Sequence, residues 1–419
     1  MTGLDASPAP PTVPLRHNRD FLLLWLGAGL SNLGGTVASV GFPLLLVFAG
    51  RSTVAAGWTG FAGLLPLLLI QLPAGVLVDR WDRRRTMIWC NVAALAAVGS
   101  VGVALFLGVL WLPLLMVAAF VEGGAAVIYR LAERAAVSNV VAAGQLSTAL
   151  SQNEARTRAA GLLGQPLSSS LFAAARSAPF LFAALSHGLA LVGLLFIRAR
   201  FQQERQEPRR AVRLELAAGF GWLRRQRFLR SALVLVAVTN VLFQVLSLAL
   251  VVMVRDDGGS PAVVGVIGAV SGVGGVVGAL CGSAVVRRVD LPTVLIGVLA
   301  AWATLMFSIS LGPPIVLLAA LFAATTMLGA LLNVVAGTYQ LSITPDAMQG
   351  RVGSVAGLLG SGANSLGALG AGFLLASFPT AGVVAGISAV MLGLATAAAL
   401  SPAIRSARTT RKDSDDHGG

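Results

Sequence analysis

At 419 residues, with 56% apolar side chains against 11% charged ones and a mean hydropathy of +0.83, the chain has too little polar surface to coat a soluble globule of its size. The formal charge of +13 does not mark a nucleic-acid binder, because the 30 basic residues punctuate apolar segments instead of forming one face of a soluble domain. A polytopic membrane protein remains, in which charge encodes topology.

Residues 1–20 are polar and proline-rich, show no cleavable-signal pattern and read as a cytoplasmic tail ending in Arg16 and Arg19. The first span runs from about Phe21 to Ala49, past small residues at Ser31, Gly34 and Gly35. The second, Val54 to Val78, and the third, Thr86 to Leu110, flank GVLVDRWDRRR at Gly75 to Arg85. So short a connection between two apolar helices forces a tight hairpin, with its arginines at one membrane face. The fourth span starts near Pro113, the fifth covers Ser147 to Ala175 and the sixth Ala178 to Arg198.

Residues 199–230 break the pattern. They are basic and contain a proline and an amphipathic stretch, Leu214 to Leu223, expected to lie along the membrane surface. They separate a first six-helix bundle, 21–198, from a second, 231–400, with spans at Ser231 to Val254, Pro261 to Val286, Leu291 to Leu311, Pro314 to Tyr339, Val352 to Ser377 and Thr380 to Leu400. A charged cytoplasmic tail, 401–419, follows. On this layout Arg51, Arg176 and Arg255 fall outside and the other 27 of 30 basic residues inside, so both termini are expected in the cytoplasm. The fold class is therefore an all-α membrane protein of twelve transmembrane helices in two halves, the layout of parallel-repeat transporters.

Few polar residues lie at depth. Glu122, nine residues past Pro113, sits roughly 14 Å along its helix at 1.5 Å per residue, near the middle of an apolar core about 30 Å thick. A carboxyl group there needs a partner or a proton, which makes Glu122 the candidate proton carrier and His187, similarly deep in the sixth span, its candidate partner. A structural hydrogen bond between helices is the plainer account of either residue. Near the inner end of the fourth span Arg130, Glu133 and Arg134 stand close to Asn153, Glu154, Arg156 and Arg158 of the fifth, an expected cytoplasmic salt-bridge network. Asn32, Gln71, Asn240, Gln244, Asn333 and Asn364 are the remaining candidates to line a midplane cavity. A cavity with one acid, few aromatic rings and mostly small aliphatic residues suits an apolar or amphipathic ligand better than a sugar. Cys90 and Cys281 both lie in spans without metal or redox spacing, so no metal site or cofactor is expected.

Gly75, Asp79, Arg80, Arg83 and Arg84 stand at the spacing of the signature between the second and third helices of major facilitator superfamily transporters, which this chain resembles over about residues 20–400. Asp82 departs from the pattern, which prefers glycine there, and Gly282, Arg287 and Arg288 keep a worn copy in the second half. The resemblance implies a gate in which Asp79 meets the cytoplasmic start of the eleventh helix, near Gly350 to Gly353, whose positive dipole end favours the contact. A second likeness, QNEARTRAAGLLGQPLSSS at Gln152 to Ser170, is to the fifth helix of bacterial exporters, with Gly161, Gly164 and Pro166 matching the antiporter motif. Gln165 and Ser168 to Ser170 depart from that motif, and SNLGG at Ser31 to Gly35 lacks an acid that many relatives carry.

Together these features predict a secondary transporter in the bacterial cytoplasmic membrane, resembling drug, macrolide or siderophore exporters. It is expected to act as a monomer embedded in the lipid bilayer, exchanging a small-molecule substrate for protons, with no nucleic acid as partner. No GxxxxGK[ST] loop supports ATP drive, and no catalytic grouping at depth supports an enzyme. An importer or facilitator, or a transport-inactive sensor or scaffold, are the alternatives. The charge tally makes one outcome checkable: reporter tags on the two termini should be protected on the same, cytoplasmic, face of the membrane. A split between faces would contradict the twelve-span layout.

Overall fold

The protein is described here by a computed structural model, which covers residues 14–50, 52–197, 199, 201, 221, 227–285, 288–344 and 346–402. The amphipathic stretch apart from Gly221, most of the linker and tails, and Arg287 lie outside the described residues.

Its helices are α1 (Arg19–Phe48), α2 (Thr53–Leu69), α3 (Gln71–Arg80), α4 (Arg83–Phe106), α5 (Leu112–Val140), α6 (Leu146–Ala174), α7 (Ala178–Phe196), α8 (Arg227–Asp256), α9 (Pro261–Val285), α10 (Leu291–Ser310), α11 (Ile315–Ile343), α12 (Asp346–Ser377) and α13 (Thr380–Leu400). Ten of them are long and apolar enough to cross a membrane. The two remaining crossings are the informative ones. Expected as one span over Val54 to Val78, the second is broken at Ile70 into α2 and α3. Pro73 has no N–H to offer the Leu69 carbonyl, while Ile70 and Ala74 keep their bonds to Pro66 and Ile70, both at 2.7 Å, so the helix hesitates for one residue and resumes. The fifth crossing, α6, is long enough, but its first half carries Glu154, Arg156 and Arg158 and reads as polar.

Helix ends follow local chemistry. Asn18 and Asp290 accept from the third residue beyond them, Phe21 and Thr293, to cap α1 and α10, and Ser52 accepts from Val54 to cap α2. Asp82, the departure from the signature, is the N-cap of α4 and accepts from the Arg85 amide at 2.8 Å. Four turns contain glycines with left-handed backbone, Gly50, Gly108, Gly258 and Gly312, at φ of 70°, 77°, 72° and 67°. They close the first and third hairpin positions of each half, so the same backbone device recurs after six crossings.

Within the first half α1 packs on α6 and α7, α4 on α5 and α7, and α2 on α5. In the second α9 packs on α11, α8 on α12, and α10 on α11 and α13. The halves meet chiefly along two seams, α2 with α12 and α6 with α9, with α1 touching α8 to a smaller extent. Arg19, Arg83 to Arg85, Arg134 and Arg158 gather at one end of the bundle. At the far end one apolar core runs through both halves, with Phe42 and Leu45 of α1 in the same cluster as Val251 and Val252 of α8. At the arginine-rich end the first half keeps a separate core around Phe21, Leu24, Tyr129 and Leu194.

The α2–α12 seam is a backbone contact. A Cβ added at Gly57 would lie 2.8 Å from the Gly372 Cα, and one at Gly372 would lie equally close to Gly57, while Thr53 Oγ1 donates to the Gly372 carbonyl at 3.1 Å. Gly372→Val should therefore lower the melting temperature in detergent, by about 1–3 kcal/mol of stability, the usual cost of overpacking. Gly370→Val, at a position facing open space, should leave it unchanged.

Candidate functional site

A cavity of about 500 Å³ lies between the halves, walled by α1, α2, α4, α5, α6 and α7 on one side and α8, α9 and α12 on the other. It extends from Pro43 and Val264, towards the far end, to Arg130 and Thr157, which are exposed towards the arginine-rich end. Its lining is mainly Leu, Val, Ala and Gly, interrupted by Asn32, Thr36, Ser39, Gln165, Gln244 and Ser247 and by one carboxylate, Glu122.

Glu122 and His187 meet at this cavity. His187 Nε2 is 3.2 Å from Glu122 Oε1, with side chains 3% and 8% exposed. The carboxylate lies off the ring N–H direction, and Nε2 and Glu122 Oε2 both lack an aligned hydrogen-bond partner among the described residues. The other ring nitrogen, Nδ1, is 3.2 Å from Asn91 Oδ1 and 3.3 Å from Ser31 Oγ. Four helices, α1, α4, α5 and α7, thus converge on one polar point inside an apolar bundle. Gly35 makes room for it, since a Cβ there would sit 2.7 Å from Glu122 Oε1. The acid missing from SNLGG is matched by a carboxylate reaching the same space from α5.

The network expected at the inner end divides into parts. Glu133 Oε1 and Arg156 Nη2 form a buried pair at 2.7 Å, both side chains 6% exposed. Arg156 also donates to the Trp25 carbonyl at 3.1 Å, and a longer contact of 3.5 Å reaches Asn153 Oδ1, so one guanidinium ties α5, α6 and α1 together. Glu154 and Arg158 pair on the surface at 2.8 Å, while Arg130 and Arg134 are exposed.

Gly75, Asp79 and Arg80 belong to α3, and the side chains of Asp79 and Arg80 lie outside the described residues, as does the Arg351–Val352 part of the expected gate contact. Arg83 and Arg84 are described, and both act inside the first half. Arg83 donates to the carbonyls of Ala135 and Phe201 at 2.9 and 3.0 Å, and Arg84 to those of Leu194 and Leu195 at 3.1 and 2.8 Å. Arg84 thus holds last-turn carbonyls of α7, where helical partners run out and the dipole favours a cation, while Arg83 ties the last turns of α5 to the segment that follows α7.

The α6 motif residues separate in the same way. Gly164 packs on Thr36 of α1, within its own half, where a Cβ would come to 2.5 Å, and Gly161 faces open space. Contact with the other half is made by Leu162, Gln165, Pro166 and Ser169 against Gly272, Gly268 and Gly265 of α9. The glycines that permit close approach are therefore on α9, and Gln165, a departure from the motif, is the residue that seats on Gly268 and reaches the cavity.

Of the cavity candidates, Asn32 and Gln244 line it. Gln71 and Asn240 lie by Gly357 and Gly360 of α12, Asn364 is half-buried on α12, and Asn333 is exposed. The sequence pattern singled out Ser31 only as a small residue and Gln165 only as a departure from the motif, and it did not mark Asn91 at all. Small and amide side chains within spans are too common to stand out, and only their convergence marks these. Among the described residues no group of three or more His, Cys, Asp or Glu could hold a metal ion. Cys90 is buried beside the cavity and Cys281 is exposed.

Two six-helix bundles around a shared midplane cavity define the major facilitator transporter fold. Solved structures share it at low sequence identity. The nucleoside transporter NupG is 14% identical, with a TM-score of 0.74 over 90% of this chain and 98% of that one. A bacterial homolog of the human lysosomal transporter Spinster, in an inward-facing and unoccupied conformation, is 15% identical, with a TM-score of 0.71 over 95% and 98%. A D-xylose-proton symporter is 17% identical, with a TM-score of 0.63 over 90% and 96%. No curated protein matches the sequence. The family profile described as transmembrane secretion effector, within the major facilitator superfamily, matches residues 9–417. The chain belongs to that family, and it is a multi-pass membrane protein with the fold of transporters.

The two ion pairs differ in burial and should differ in weight. Arg156→Met should destabilise the protein by about 3–5 kcal/mol because it strands the Glu133 carboxylate, and Glu133→Met with Arg156→Met should recover much of that loss. Arg158→Ala, at an exposed pair, should change stability by less than about 1 kcal/mol. Denaturant unfolding in detergent measures all three.

Proposed function

We propose that this protein is a proton-coupled secondary transporter that exports apolar or amphipathic small molecules across the bacterial cytoplasmic membrane by alternating access. The observation that carries the reading is the buried Glu122–His187 pair at the edge of an apolar cavity shared by both halves. A titratable pair placed there has its charge state tied to whichever side the cavity faces, because burial disfavours an unpaired charge and water entry removes that penalty.

The closest backbone approach between the halves, Gly57 with Gly372, and the seating of Ser169 on Gly265 lie in the part of the bundle away from the arginines, while the contacts of α12 nearer the arginines, at Leu68 and Gln71, are looser. With the arginine-rich end assigned to the cytoplasm by the positive-inside rule, this corresponds to an arrangement sealed outside and reached from within. Loading from the inner side fits export, as does the secretion named in the family description. Proton coupling is consistent with the fold shared with a D-xylose-proton symporter. On this reading the first bundle, 21–198, and the second, 231–400, rock about the cavity, and Asp79 belongs to the inner gate.

A second reading, uptake of a small polar metabolite, is favoured by three carboxamides, Asn32, Gln165 and Gln244, lining one cavity. Direction separates the two. Inverted vesicles carrying the protein should accumulate amphipathic dyes and drugs only under an imposed pH gradient, acid inside. Glu122→Gln should abolish the response to the gradient while leaving downhill exchange of unlabelled for labelled substrate. Accumulation without a gradient or membrane potential, or an unchanged response in the Glu122→Gln variant, would exclude the antiport reading.

A further inference from the structure

The Glu122–His187 contact leaves open which ring nitrogen carries the proton of a neutral imidazole, and the surroundings of His187 decide it. Asn91 Nδ2 donates to the Met87 carbonyl, one turn back on α4, at 3.2 Å. Turning the amide over would set Oδ1 against that carbonyl, acceptor to acceptor, so Oδ1 is the atom that faces the imidazole. It lies 3.2 Å from Nδ1. An amide oxygen only accepts, so Nδ1 must carry a hydrogen, and Ser31 Oγ, 3.3 Å from the same nitrogen, can accept from it as well. Asn91 is 1% exposed, which leaves its amide no water to turn towards.

With Nδ1–H committed, Nε2 is the nitrogen that faces Glu122 Oε1, at 3.2 Å but off the ring N–H direction, so a proton passes between them once either side chain turns into line. If neither group holds a proton in that gap, a lone pair faces a carboxylate in a buried site. One proton removes the conflict in either of two forms. The carboxylic acid can face bare Nε2, or the carboxylate can face Nε2–H of the imidazolium. Both forms contain the same atoms and carry zero net charge, differing only in which side of the gap holds the proton.

The neighbouring groups do not supply a substitute cation. Arg156 on α6 is committed to Glu133, and Arg130 on α5 lies at the exposed limit of the cavity. Cys90 on α4 and Tyr129 on α5 are the other titratable groups at its wall, and the α1 and α2 residues lining it are uncharged. Gly35 completes the arrangement by leaving the carboxylate its place.

We propose that Asn91 is a positioning residue that holds the His187 hydrogen on Nδ1, so that Nε2 and the Glu122 carboxylate share one exchangeable proton. This rests on the reading of Glu122 and His187 as the coupling pair, and it adds the residue that makes the pair a one-proton store instead of a plain inter-helix contact.

The chain has three histidines, and His17 is exposed while His417 lies in the tail outside the described residues. Replacing both with glutamine leaves His187 as the single reporter for nitrogen-15 NMR of histidine-labelled protein in lipid bilayers. Nδ1 should appear protonated throughout the pH range in which the protein stays folded. Asn91→Leu should lose that uniform state and show the hydrogen divided between Nδ1 and Nε2. Asn91→Asp, which keeps an acceptor facing Nδ1, should retain protonated Nδ1, and Glu122→Gln should move the Nε2 resonance without moving the Nδ1 hydrogen. A bare Nδ1 in the parent protein overturns the proposal, as does an Asn91→Leu spectrum identical to the parent. Should Asn91→Leu fail to fold, the parent, Asn91→Asp and Glu122→Gln spectra still decide. The readout needs no transport, so failed dye exchange with the expected spectra would remove the antiport reading and leave the ring assignment standing.

Discussion

Helices in a bilayer gain nothing from hiding apolar surface, because lipid is as apolar as they are, and what joins them is close packing and the hydrogen bonds it allows. That constraint sets the shape of this protein. The halves touch where backbones can approach, at Gly57 with Gly372 and where α6 lays Gln165 and Ser169 on the glycines of α9. The tightest of these contacts lie away from the arginines, where one apolar core passes through both halves, and the first seam continues past the middle of the bundle to Leu68 and Gln71 against Gly362 and Gly357. Towards the arginines the first half keeps a core of its own, and the space between the halves becomes the cavity.

The same constraint governs every charge inside. A buried charge in hydrocarbon must find a partner, and the first half contains two solutions at different depths. Glu133 and Arg156 form a short pair, reinforced by the Trp25 carbonyl, that fastens three helices and leaves the carboxylate little freedom. Glu122 and His187 form a looser contact, imperfectly aligned, with one carboxylate oxygen lacking a hydrogen-bond partner among the described residues. The first arrangement suits a fixed joint. The second lies at the cavity, held by fewer contacts.

The arginines near the start of α4 show how a signature can do structural work. Arg83 and Arg84 fasten carbonyls in the last turns of α5 and α7, and Asp82 caps α4. These contacts make the end of the first bundle a single piece. Carbonyls left bare at helix ends would let the bundle fray there.

Much of this was legible in the sequence because membrane folding is dominated by two one-dimensional quantities, the length of apolar runs and the placement of basic residues. Twelve crossings, the division after the sixth and the depth of Glu122 and His187 follow from counting. The interruption at Ile70 was missed because a proline in an apolar run is compatible with either a kink or an unbroken span. The roles within motifs were not legible either. Gly161 and Gly164 matched a pattern, yet Gly161 faces open space and Gly164 faces its own half, while the departing residue Gln165 makes the contact between halves. Spacing along one helix does not say which neighbour each face will meet. The sequence by itself determined the class, the crossings and the two candidate titrating residues, since each depends on local composition. The tertiary structure alone decided that Glu122 lies 3.2 Å from His187, that Asn91 Oδ1 stands 3.2 Å from the other ring nitrogen and that Gly35 yields its space, because these involve four helices far apart in the chain.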